Sequence, residues 1–335
     1  MLIFFFSIFS LLPAQDEGNP QLFSSEEMLS VTIVTNMRTL LRDNDEDRDY
    51  HPATISVTTE GVEQDTVPVR LIQRGNFRRN NCQLPPLKLN FKGKDVAGTY
   101  FDHIDKIKLV LPCRFKGDTY DELLLKEYLM YRMYNHLTDS SFRVRLLEIT
   151  FKDSAERMDD LVRYGFFIEP VDNLEARLGG EEVEKLGIHP HATYAHLTNL
   201  VSMYQFMVGN TDWSISGLHN VKMIRMDSLG LPLVIPYDFD WCGAVDAPYA
   251  QPNPQLNLNA VTQRLYRGFC RPEEEMRKAT QRFLDNREAM YQEVNSLTLL
   301  EEKARKKLIR YLDEFYEILD SERKWEYYFM STCRD

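Results

Sequence analysis

Gly209-Asn210-Thr211-Asp212-Trp213 is followed by Asn220 and then by Asp238-Phe239-Asp240. An acid, an amide and a second acid stand in that order, two of them against short runs with strand character. Residues 221–226 follow Asn220, and residues 233–236 precede Asp238. Phosphoryl transfer asks little covalent chemistry of a protein. It asks for an oriented nucleophile, metal ions that bridge phosphates, and a cation on the phosphates. Carboxylate and amide oxygens suit magnesium, a hard ion. Asp212 is therefore suited to accept or orient the proton of an acceptor hydroxyl. Asn220 and Asp238 are suited to hold the metal, with Asp240 as the alternative or additional ligand. A reading without chemistry makes Asp212 and Asn210 a turn, Asn220 a cap and Asp238 a loop acid. It accounts for each residue singly but not for their order and flanks.

Upstream, residues 26–41 carry a helical pattern, and the charge run 42–49 reads as a solvated loop. Residues 53–59, 67–73, 87–91 and 106–111 alternate apolar and polar side chains as strands do. Thr119 with Glu122 has the spacing of a capping box ahead of a helix over 123–137. Two further strands are expected near 143–151 and 162–168, and a helix over 194–207. From 272 to 329 the pattern is helical. Strands, one helix, strands and then mostly helices make an α+β chain with a cleft between a strand-rich and a helical part. No Gly-rich strand-to-helix turn supports a Rossmann fold.

Three segments together resemble the CotH kinase-like family and, more distantly, HipA-type and lipid-kinase-type relatives. Arg74-Gly75-Asn76-Phe77-Arg78 with Pro86-Leu87-Lys88-Leu89-Asn90-Phe91 looks like the family's Arg-Gly segment and Lys-bearing strand. Tyr164-Gly165-Phe166-Phe167-Ile168-Glu169 looks like the strand that runs into its hinge. The stretches around Asp212 and Asp238 look like its catalytic and metal-binding loops. The resemblance implies a two-lobed protein-kinase-like fold: a strand-rich N-lobe over 16–168 and a mainly helical C-lobe over 169–335. It implies ATP with Mg²⁺ or Mn²⁺ as cofactors, Lys88 on the α/β-phosphates and Arg74 near them. It also implies Glu127 paired with Lys88, and Glu169 at a hinge near the adenine. The step from Asp212 to Asn220 is longer than in protein kinases, so residues 214–218 have to bulge out. No His-Arg-Asp triplet precedes Asp212, and Asp240 stands where a glycine is usual.

The 335 residues carry a net charge of −11, which offers no basic excess for a nucleic-acid backbone. Residues 2–12 are apolar but too short to span a bilayer, and a small residue, Ala14, follows them. They read as a signal peptide spanning residues 1–15, giving an exported, periplasmic, cell-envelope or extracellular protein without a transmembrane anchor after cleavage. Five cysteines without a Cys-x-x-Cys pair allow up to two disulfides and a free thiol. His189-Pro190-His191 has no nearby carboxylate or cysteine to complete a metal site. The expected activity is transfer of phosphate from ATP to a hydroxyl of a protein, sugar or small molecule. The alternatives are a kinase-like envelope module that binds without turnover, and a glycan hydrolase using Asp212 and Asp238. The hydrolase leaves Asn220 and Lys88 unexplained.

Overall fold

The computed structural model describes residues 21–226 and 230–335. The expected signal segment lies outside the described residues. The strands are β1 (Leu29–Thr35), β2 (His51–Thr59), β3 (Val62–Gln73), β4 (Leu87–Asn90), β5 (Lys106–Val110), β6 (Val144–Asp153), β7 (Leu161–Ile168), β8 (Gly180–Glu182), β9 (Val221–Met226) and β10 (Pro232–Pro236). The α-helices are α1 (Met37–Arg42), α2 (Phe77–Asn81), α3 (Gly93–Val96), α4 (Asp118–Leu137), α5 (Val171–Leu178), α6 (Ala195–Met207), α7 (Glu273–Asp285), α8 (Arg287–Ser296), α9 (Glu302–Leu319) and α10 (Glu322–Glu326).

The two-lobed protein-kinase-like arrangement is not what the chain builds. The strands β1-β2-β3-β4-β5-β7-β6 close into a mixed barrel, because β1 pairs antiparallel with β2 on one side and parallel with β6 on the other. The strand that closes the barrel lies within residues expected to be helical. Leu29, Val31 and Ile33 alternate with Ser30, Thr32 and Val34, and every second side chain is buried. The β-branched run Val31-Thr32-Ile33-Val34-Thr35 favours an extended backbone over a helix. Closure leaves this sheet no free edge.

Alternation along each strand sends one set of side chains into the barrel and the other outward. Val31, Ile55, Leu71, Leu89, Ile107 and Phe167 are among those that fill the interior. Outward-facing Val110, Val144, Leu146, Phe166 and Ile168 join α4 and the later helices in a second core. That second core takes in the buried faces of α6, α7, α8 and α9 and the hairpin β9–β10, which forms a small sheet with β8. The expected capping box is not formed. Gly117, at φ 112°, caps α4 without a side-chain bond, and Glu122 pairs with Lys126 at 2.6 Å.

Two disulfides, Cys82–Cys113 and Cys270–Cys333, leave Cys242 free and buried. Among the described residues no helix is long and apolar enough to cross a membrane.

Candidate functional site

The site grows from one end of the β9–β10 hairpin. Val221 pairs with Pro236, so Asn220 and Tyr237 face each other just beyond the last rung, and the Tyr237 N–H donates to the Asn220 carbonyl at 3.1 Å. Asn220 and Asp238 thereby stand side by side at the strand ends. Both are in the left-handed region, at φ 52° and 64°. Asn and Asp tolerate that region better than most residues, and such backbone is often kept where it aims a functional group. The hydroxyl of Tyr131, on α4, accepts the Asp238 N–H at 2.8 Å.

Asp212 reaches the same end from the other side. The long step to Asn220 is taken up by a local closure in which Ser214 and His219 exchange two backbone hydrogen bonds of 2.9 Å. Residues 215–218 loop out, as the spacing requires, and Ile215 anchors the loop in the core. Asn220 Nδ2 then donates to the Asp212 carbonyl at 2.7 Å and to its carboxylate at 3.1 Å. This leaves Asn220 Oδ1 as an acceptor. His219 Nε2 lies 2.9 Å from the other Asp212 oxygen. Arg267 clamps the loop by donating to the carbonyls on either side of Asp212, those of Thr211 and of Trp213, the latter at 2.8 Å. Gly209, at φ 66°, opens the segment where a Cβ would collide with the Tyr311 hydroxyl, so a side chain there is strained and displaces Tyr311.

Behind Asp238 lies a buried charge cluster. Arg78 on α2 donates to Glu127 of α4 at 3.2 Å, lies 3.8 Å from Asp240, and donates to the Leu111 carbonyl. Burial by itself would lower its pKa, but Tyr249, Glu127, Asp240 and Asp238 hold it above the usual arginine value. One guanidinium faces two buried carboxylates. Burial, with the mutual repulsion of the acids, keeps Glu127 and Asp240 well above the usual carboxylate range. The Tyr249 hydroxyl donates to Asp240 at 3.2 Å. Phe77 packs on Trp241 and Tyr249, each with ring centroids 5.4 Å apart, and so docks α2 over the 238–249 segment. The Cys82–Cys113 bridge pins the far end of α2 to the exit of β5.

The facing wall is the outer surface of the barrel. Ile72, Lys88, Lys108 and Ile168 form one cross-strand row. Lys108 Nζ sits 4.7 Å over the Tyr237 ring, beside Asp238. Its pKa falls to about 8, chiefly through burial, then through Arg74; Lys222 and Lys88 add to this, while Asp238 opposes them. Positive charge from Arg74, Lys88 and Lys108 is thus gathered opposite Asp238.

Asp212 and Asn220 are in contact, and Asp238, Asp240, Glu127 and Arg74 lie within electrostatic reach of one another, while Lys88 joins them only through its cross-strand neighbour Lys108. The structure corrects the pairing of Glu127, whose partner is Arg78 rather than Lys88. Glu127 projects from α4 towards α2, whereas Lys88 stands in register with Lys108. Glu169 is not aimed into the cluster. Its buried carboxylate is held by both arms of Arg177, at 3.0 and 2.9 Å, and by the Arg143 N–H at 3.0 Å. Arg78, Lys108, His219 and Tyr131 are additions to the sequence reading. Lys108 had a legible signal, a lysine in the middle of an alternating apolar strand. Arg78 lies at the end of the Arg-Gly segment, where its position alone carries no sign of its buried partners.

His189 and His191 stack on each other at 5.2 Å and pack edge-on against Phe269. Among the described residues no group of three or more His, Cys, Asp or Glu side chains is placed to hold a metal by itself. Asp238 and Asn220 Oδ1 present hard oxygen atoms at the hairpin end, whereas the Asp240 carboxylate is turned to Arg78 and the Tyr249 hydroxyl. No family model matches the chain, and no curated protein matches it.

Proposed function

We propose that this protein is an ATP-dependent phosphotransferase acting on a hydroxyl acceptor, as its resemblance to the CotH kinase-like family implies. The observation that carries the reading is the juxtaposition at the hairpin end. Asp212 is hydrogen-bonded to Asn220, Asp238 stands beside them, and Lys108, Lys88 and Arg74 face them from the barrel wall. Asp212 orients the acceptor hydroxyl and takes its proton. Its carboxylate is aimed by Asn220 Nδ2 and His219, and its backbone is fixed by Arg267. Asn220 Oδ1 and Asp238 would hold Mg²⁺ or Mn²⁺, with Asp240 behind them. That ion would supply neutralisation of the phosphate oxygens. Lys108 is the better-placed cation for the phosphates. A partly desolvated ammonium gains more from an arriving anion than a solvated one does. Lys88 and Arg74 widen the positive wall.

The two disulfides support an oxidising compartment and hence export to the periplasm, envelope or exterior. A second reading is a non-catalytic envelope module. It is favoured by the Asp212 carboxylate, which already has partners at both oxygens. A thermal-shift titration with ATP and Mg²⁺ or Mn²⁺ tests the proposal. A metal-dependent rise in melting temperature that Asp238→Asn abolishes is expected. No shift with any nucleotide and divalent ion pair would leave the binding module.

A further inference from the structure

A second cluster beside Asp212 is rich in positive charge. Trp213, Ser214, Ser216, Arg267, Phe269 and Arg334 line a small, partly open cavity of about 120 Å³, and no carboxylate is among its walls. Arg271 adjoins it, donating to the carbonyl of Pro190, another wall residue, at 2.8 Å. The polar contacts of Arg267 are to the carbonyls of Thr211 and Trp213, and the Arg334 guanidinium lies over the Phe269 ring at 4.7 Å. Arg267 has its pKa lowered, first by burial and then by the like charge of Arg334, while Asp212 opposes both.

The cluster is held in place. Phe269 and Arg334 form a backbone bridge, the Arg334 N–H donates to Gly268 at 2.9 Å, and the Cys270 N–H donates to Arg334 at 2.8 Å. The Cys270–Cys333 bridge staples the two segments beside that contact. A protein of net charge −11 has thus fixed arginines around a small cavity one residue from Asp212. Like charges held together cost free energy that an anion offsets, and guanidinium forks are the donors that phosphate and carboxylate groups take. The Ser214 hydroxyl, which accepts the Gly217 N–H at 3.0 Å, keeps its proton to donate, whereas the Ser216 hydroxyl is spent on the Ile188 carbonyl at 3.0 Å.

We propose that this cavity is an acceptor subsite. It binds a phosphate or carboxylate group carried by the acceptor close to the hydroxyl presented to Asp212, so the acceptors are acidic molecules. The inference rests on the phosphotransferase reading for the word acceptor, but anion binding can be measured without it. Inorganic phosphate is titrated calorimetrically into the full chain without nucleotide or divalent metal. The same titration is made on Arg334→Gln and on Lys108→Met, the latter to separate the cavity from the facing wall. Saturable binding that weakens at least about tenfold in Arg334→Gln, as loss of a charge-assisted contact requires, and persists in Lys108→Met is expected. Arg334 is exposed, and an unchanged urea midpoint checks that its variant folds. Absence of saturable binding, or binding that Arg334→Gln leaves unchanged, overturns the proposal. Phosphate binding of the expected kind in a protein that shows no ATP-dependent shift would overturn the phosphotransferase reading alone.

Discussion

Replacing Lys108 by Met separates stability from function in one experiment. The lysine is held among Arg74, Lys222 and Lys88, and its pKa drops from 10.5 to about 8. At 1.36 kcal/mol per pKa step, keeping it charged costs the fold at most about 3–4 kcal/mol. Its side chain is partly accessible, and screening by water brings the expected figure nearer to roughly 1–2 kcal/mol. The sign follows from proton counting. Below about pH 8 the lysine is protonated in both folded and unfolded chains, and the full penalty is present. Between about 8 and 10.5 the folded chain has released the proton and the unfolded chain has not, so this group makes stability rise with pH. Met, of similar length and without charge, removes the penalty. Urea denaturation at pH 7 should show Lys108→Met more stable than wild type, with an advantage that shrinks as pH approaches 10.5. The same variant should lose nucleotide-dependent stabilisation. A variant that is less stable at pH 7, or an advantage that does not change with pH, refutes the placement of Lys108 as a strained cation held for a ligand.

Arg78→Met strips the cation from Glu127 and Asp240. Two buried acids without a partner should cost about 3–5 kcal/mol in urea denaturation, most of it recovered when Glu127→Gln is added. Glu169→Gln breaks the buried fork with Arg177 and should destabilise by a similar amount, yet leave the size of the ATP-dependent thermal shift unchanged. Cys82→Ser with Cys113→Ser opens a loop of sequence separation 31 and should lower stability by about 4 kcal/mol by chain-entropy arithmetic, read from denaturation midpoints.

The local pattern of most elements could be read before the fold was known, since alternation over residues 53–59, 67–73, 87–91 and 106–111 corresponds to β2 to β5. The architecture could not. A strand's period does not say which strand it pairs with, and the parallel β1–β6 rung that closes the barrel joins segments more than a hundred residues apart. Residues 29–35 also sit where apolar spacing fits both periods, which concealed β1. At the site, the order of Asp212, Asn220 and Asp238 was legible because hairpin ends and loop acids leave local signals. The charge partners were not, because Arg78, Glu127 and Asp240 meet only through packing of α2 on α4 and the 238–249 segment. Glu169 illustrates the reverse error. A carboxylate at a strand end looks available in sequence, and here it is occupied by Arg177.

The central claim is that Asp212, Asn220 and Asp238 form one phosphoryl-transfer site. Incubation of the purified chain with γ-labelled ATP and Mg²⁺ or Mn²⁺, alone and with acidic hydroxyl-bearing acceptors, measures it directly. Label should move to an acceptor or to the protein itself, and Asp212→Asn and Asp238→Asn should each abolish the transfer while folding normally. Transfer that survives in both variants, or a wild-type chain that neither binds nor turns over ATP with either metal, would contradict it.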